Sequence, residues 1–168
     1  MKIKTKGFTL IELLVVIAII TILSTVAMAG LNSARTKGRD AKRLSDIKSL
    51  QKALELYYDT CGGYPGLGTG AYVAITAGAG NLNTATQDGN CTVENLGTYM
   101  NPLPVTPQPG GVDYTYCSMA EDSTVGAAGC DAAETTSYQI TFNIENAAGS
   151  LTASGNYILT PSGIQGPV

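Results

Sequence analysis

The groups in this chain that could attack a substrate or hold a ligand are few. Four cysteines, ten basic and thirteen acidic residues are present, with no histidine and no tryptophan. Without an imidazole there is no Ser-His or Cys-His pair and no histidine to ligate a metal. Ser45 and Lys48 stand at an SxxK spacing, but within a charged amphipathic stretch that has no companion motif. Gly66-Leu67-Gly68-Thr69-Gly70 has the glycine content of a phosphate cradle without the preceding strand or the following lysine. The cysteines include no CxxC pair, the usual beginning of a zinc site. This inventory argues against an enzyme. No catalytic residue, cofactor, metal or small-molecule substrate is expected.

A different chemistry is concentrated near the start. Lys2, Lys4 and Lys6 precede Gly7, and an apolar run from Phe8 to about Leu31 follows at once. At about 1.5 Å per residue this run makes a helix of roughly 35 Å, enough to cross a hydrocarbon core of about 30 Å. A helix is the single-segment form that satisfies its own backbone in lipid. The three lysines favour a cytoplasmic position for that end. Glu12 lies inside the run, where a charge costs about 2.5–3.5 kcal/mol at mid-span and less near the edge. A secretory signal would be shorter, and its cleavage site near Ala27-Met28-Ala29 falls at the far end of the run. Neither such a signal nor a plain anchor accounts for the carboxylate.

The sequence Lys6-Gly7-Phe8-Thr9-Leu10-Ile11-Glu12-Leu13-Leu14 resembles the processing and methylation site of type IV pilins and type II secretion pseudopilins. The resemblance implies peptidase cleavage between Gly7 and Phe8 and N-methylation of Phe8. It also implies an assembly contact between Glu12 and the terminal amine of a neighbouring subunit. Gly63-Tyr64-Pro65, the prolines from Pro102 to Pro109 and Tyr114-Thr115-Tyr116 extend the likeness. Thr106 departs from it, standing where the secretion branch usually has an acid. The implied partners are other copies of the chain, the membrane before assembly, a prepilin peptidase and an assembly platform driven by a separate ATPase.

Beyond the apolar run, Leu44, Ile47, Leu50, Leu54 and Tyr57 recur at three- and four-residue steps, the period of an amphipathic helix. The pattern predicts one helical spine ending near Asp59-Thr60, just before Cys61-Gly62-Gly63. Gly30 and Asn32-Ser33 are expected to weaken it where the apolar and polar halves join. A glycine- and proline-rich connecting region follows, carrying an Asn90-Cys91-Thr92 glycosylation pattern. Tyr114–Cys117, Ser137–Ile144 and Gly155–Thr160 read as strands, with Tyr138, Ile140, Phe142 and Ile144 on one face.

All basic residues after the leader lie between Arg35 and Lys52, and only acids follow. This basic collar reads either as a solvated helix face near lipid headgroups or as a surface that meets acidic heads of neighbouring subunits. Outside the membrane it mildly opposes the charge rule that the leader obeys. An acidic head is a poor surface for nucleic acid.

Cys61, Cys91, Cys117 and Cys130 permit three pairings, with free thiols as the alternative. Cys117–Cys130 is favoured because it closes a short loop, with Cys61–Cys91 as its complement.

The expected fold class is α+β: a long N-terminal helical spine bearing a small antiparallel sheet. The expected organisation is a leader at 1–7, an apolar membrane or filament-core helix at 8–31 and the amphipathic half of the spine at 32–60. A head follows at 61–168, with connecting region 61–113 and strands within 114–160. The expected function is that of a structural subunit of a type IV pilus-like filament, lodged in the cytoplasmic membrane before assembly and at the cell surface after it. A secretion-system pseudopilin is the alternative, and a secreted or anchored binding domain the remaining one.

Overall fold

The computed structural model describes residues 7–66, 71–75, 82, 96–119, 130 and 136–168. Helix α1 runs Leu10–Cys61, one unbroken element of 52 residues. Gly30 and Asn32-Ser33 therefore do not interrupt it. A glycine in a helix interior costs about 1 kcal/mol relative to alanine, a penalty that many flanking helix hydrogen bonds absorb. The C-terminal stop is glycine-made, as the sequence predicts. Gly62 has a φ of +77° and its amide donates to the Tyr58 carbonyl at 2.8 Å. An L residue would strain at that φ, whereas glycine closes the last turn freely.

The chain forms two compact units, the first ending at Thr36 and the second beginning at Lys37. In the first, every residue from Gly7 to Met28 is exposed, Phe8 at 77% and Ile22 at 65% among them. This apolar helix is long enough to cross a membrane, and none of its apolar window is buried.

The second unit is the head. After the helical segment come β1 (Val73–Ala74), α2 (Leu96–Tyr99), β2 (Thr115–Met119), β3 (Ser137–Ile144), β4 (Gly155–Thr160) and β5 (Gly163–Gln165). The strands form one antiparallel sheet in chain order, a meander. Register places Tyr116 opposite Ile140, and Ile140 opposite Leu159. Because strand side chains alternate, Tyr138, Ile140, Phe142 and Ile144 share one face, and all four are buried. They join Ile47, Leu50, Leu54 and Tyr57 of α1 in a single core, with Leu44 packed at its edge. The helical stripe read from the sequence is thus the face that the sheet covers.

Tyr64 of the Gly63-Tyr64-Pro65 turn plugs the core at the end of α1. Its ring lies 4.6 Å from that of Tyr138, edge to face, and 4.8 Å from that of Tyr58. Its hydroxyl donates to the Glu55 carboxylate at 3.2 Å, while the Pro65 carbonyl accepts from Tyr116 at 2.9 Å. Aromatic side chains of this kind bury area and still satisfy a polar tip.

Candidate functional site

Two places in the chain hold the residues that the sequence singles out: the start of α1 and the collar segment of the head. At the first, Gly7 and Phe8 are exposed and precede the helix. Thr9 is the cap residue, its carbonyl accepting the first helical bond from the Leu13 amide at 3.3 Å. Glu12 reaches back from the third helical position. Its Oε2 accepts the Thr9 amide at 2.8 Å and the Thr9 hydroxyl at 2.6 Å. The Glu12 amide in turn donates to Thr9 Oγ1 at 3.3 Å. This reciprocal arrangement is a capping box, which satisfies orphan amides at a helix start. The Thr-x-x-Glu spacing signals it in the sequence, so Glu12 has a local structural role in addition to any assembly role. The carboxylate also sits at the positive end of the helix dipole. Oε2 is engaged, and Oε1 has no partner among the described residues.

Arg35, Lys37, Lys42, Lys48 and Lys52 of the collar are exposed, as a solvated face requires, but Arg39 and Arg43 turn into the head. Arg43 is completely enclosed. Its Nη1 donates to Asp40 Oδ1 at 2.7 Å and its Nη2 lies 2.7 Å from Glu145 Oε1 and 3.2 Å from the Pro107 carbonyl. Arg39 grips the same Glu145 through two bonds, Nε to Oε1 at 3.0 Å and Nη2 to Oε2 at 2.6 Å. Asp40, also fully buried, accepts the amides of Glu145 at 3.0 Å and Asn146 at 2.7 Å. Lys42 pairs with Asp46, whose other oxygen accepts from Tyr114 at 3.3 Å. Hydrogen bonding from Arg39 first, then Arg43, pulls the Glu145 carboxyl down to about 2. Buried charges at close range repay their desolvation through hydrogen bonds as well as pairing. Here the backbone amides, the Pro107 carbonyl and a second arginine supply most of them. Arg43 Nε alone of that guanidinium has no partner among the described residues. Arg39 and Arg43 therefore bind the β3–β4 loop of their own head. They are not free to meet a neighbour's acids.

The cysteines form the favoured bridge. Cys117 and Cys130 are bonded, with Cα atoms 5.4 Å apart, and pack with Met119 in a small second cluster. Cys61 is also disulfide-bonded, while Cys91 lies outside the described residues, as does the Asn90-Cys91-Thr92 pattern. Thr106 is buried and its hydroxyl accepts the Tyr114 amide at 3.2 Å. An acid in place of Thr106 would be enclosed there. No cluster of three or more potential metal ligands occurs among the described residues.

The chain thus combines an exposed apolar helix long enough to cross a membrane with a head whose sheet is tied by buried ion pairs. The prokaryotic N-terminal methylation motif matches residues 2–28. The chain is 30% identical over 149 residues to the type II secretion system core protein G of Vibrio cholerae serotype O1, covering 85% of this chain and 95% of that one. The corresponding protein of Klebsiella pneumoniae is 27% identical over 73% of this chain and 81% of its own. A fimbrial protein of Neisseria meningitidis serogroup B is 36% identical over 43% of this chain and 42% of its own. No solved structure matches. The chain belongs to the type IV pilin and type II secretion pseudopilin family.

Proposed function

We propose that this chain is the structural subunit of a type IV pilus-like filament. Residues 1–7 are the leader, removed between Gly7 and Phe8 by a prepilin peptidase that then methylates the Phe8 amine. The apolar segment 8–31 holds the subunit in the cytoplasmic membrane and, on extraction by a platform with its own ATPase, joins the fibre core. Segment 32–60 carries the head, 61–168, to the fibre surface. The chain contributes position and contacts, without catalysis.

The observation that carries this reading is the pairing of a wholly exposed apolar helix with a carboxylate at its start. Such a surface requires lipid or other copies of itself as surroundings. Glu12 Oε1 is open to a cation, and the new Phe8 amine of a neighbour supplies one. Cleavage creates that amine as a cation on the mature chain, while the new carboxylate leaves with the leader at Gly7. A second reading, a short secretion pseudopilus, is favoured by the core protein G relatives, one of which aligns along most of this chain.

Mass spectrometry of the membrane-extracted protein tests the processing: a chain beginning at methylated Phe8 is expected, and a start near Gly30 would sink the proposal. Electron microscopy of the assembled material then separates the two readings by fibre length, long surface filaments against short periplasmic ones.

A further inference from the structure

The internal pairing of Arg39, Lys42 and Arg43 leaves Arg35, Lys37, Lys48 and Lys52 exposed and without an ion-pair partner among the described residues, and of these Lys37 and Lys48 line one groove. Eleven residues apart, they fall on one face of α1, because eleven steps of 100° return almost to the starting angle. They stand about 16 Å apart along the helix. Between them lies an open groove of about 580 Å³, floored by Ala41 and Leu44 and walled by Ala148 and Gly149 of the β3–β4 loop. The wall is fixed in place. Gly149 has a φ of +60°, and a Cβ there would come within 2.9 Å of Leu44 Cδ2. Asp40 holds the start of the same loop through two amides.

An apolar edge of complementary charge stands elsewhere on the head. Val112 and Val168 are 62% and 69% exposed at the rim of one pocket, and Asp113, which lines the same pocket, is exposed and has no ion-pair partner among the described residues. Beyond Lys52 the chain has no basic residue that could neutralise it.

We propose that the groove between Lys37 and Lys48 receives the Val112-Asp113 edge of a second copy of this chain. Val112 enters over Leu44, and Asp113 pairs with one of the lysines that bracket the groove. The inference rests on the filament reading and names a contact within it. Groove and edge are different patches of one molecule, so the contact is head-to-tail and propagates into an open helical array. A lipid phosphate is the other anion that lysines attract. The two lysines diverge to opposite ends of an apolar floor, however, where a headgroup would need them to converge.

The test uses the full chain in cells that assemble it. Paired cysteines at Ser45→Cys and Val112→Cys should yield an oxidised ladder extending beyond dimer that collapses on reduction. Moving the second cysteine to Val105→Cys should give none. Asp113→Lys and the double variant Lys37→Glu/Lys48→Glu should each lower filament yield at least tenfold with the head's melting unchanged. Combining them should restore the yield. Filaments that form without a ladder, or at full yield in Asp113→Lys, overturn the docking. So does a loss in the lysine double variant that Asp113→Lys fails to reverse, which would assign the groove to lipid headgroups. Failure of the filament reading itself shows separately, as the absence of any fibre from the parent chain.

Discussion

Arg43 Nη2 and Glu145 Oε1 meet at 2.7 Å across 102 residues of sequence, with the arginine wholly enclosed by its own head. This contact fastens the β3–β4 loop to the helical spine, and through Pro107 it also reaches the proline-rich approach to β2. A long-range ionic tie of this kind joins the helix to the β3–β4 loop beside the place where Leu44 of the hydrophobic stripe already meets it. It draws Arg43 out of the otherwise exposed collar and into the interior of the head.

Removing one partner of a buried pair leaves the other charge uncompensated, at a cost of about 3–5 kcal/mol. Arg43→Met should therefore lower the melting temperature of the detergent-solubilised chain by ten degrees or more, at about 3 °C per kcal/mol. Arg43→Lys should recover little, because a single ammonium cannot serve Asp40, Glu145 and the Pro107 carbonyl in one plane. A drop of only a degree or two in Arg43→Met, followed by circular dichroism, would contradict the enclosed pair.

The same cluster sets an acid response. Glu145 is held at about 2 in the folded head against an ordinary value of 4.5, chiefly by the Arg39 hydrogen bonds. A carboxyl depressed in the folded state adds stability that is present above its unfolded value and lost as pH falls toward the folded one. The contribution should be complete above about pH 5 and should fade between 4.5 and 2. Melting curves of the parent chain and Glu145→Gln should differ at pH 7 and converge as pH approaches 2. Parallel curves through that interval would show that the carboxylate is not the titrating group.

Only the helical half of this cluster is readable in the sequence. Asp40 and Arg43 stand three residues apart on a helix, a spacing that brings side chains together. Glu145 was not readable, since nothing in a sequence says which acid a β-turn will carry back to a helix. The amphipathic stripe was legible because its period repeats four times, β3 because apolar residues alternate along it from Tyr138 to Ile144, and β4 because a short run of β-formers stands between turn residues. The strands β1 and β5, of two and three residues, are too short to show a period. The solvated reading of Arg39 and Arg43 failed for a physical reason. Charge density says where cations are, while burial depends on partners distant in sequence.

Reduction offers an independent probe of the head. The Cys117–Cys130 bond closes a span of 13 residues next to β2. Constraining the unfolded chain over a loop of this size is worth roughly 3 kcal/mol. Cys117→Ser/Cys130→Ser should lower the melting temperature by about 9 °C at the same conversion. The tie of Arg43 to Glu145 lies elsewhere in the head, so this loss should add to that of Arg43→Met. Strong non-additivity in the combined variant would place the two in one cooperative unit.

The capping box separates the two roles that Glu12 holds. Glutamine at the third helical position still accepts from the Thr9 amide, so Glu12→Gln keeps the cap and removes only the charge. Thr9→Val does the reverse: it removes the hydroxyl that bonds Glu12 and leaves the carboxylate. Loss of a cap costs about 1 kcal/mol, enough to fray a turn but too little to stop a polymer held by many helices. Membrane insertion should be unchanged in both variants. Filament yield should fall severely in Glu12→Gln and modestly in Thr9→Val, as read by shearing and quantifying fibres. The opposite order would mean that Glu12 serves the helix rather than the neighbouring subunit. In that case the open Oε1 faces no amine, and the apolar helix alone drives packing in the fibre.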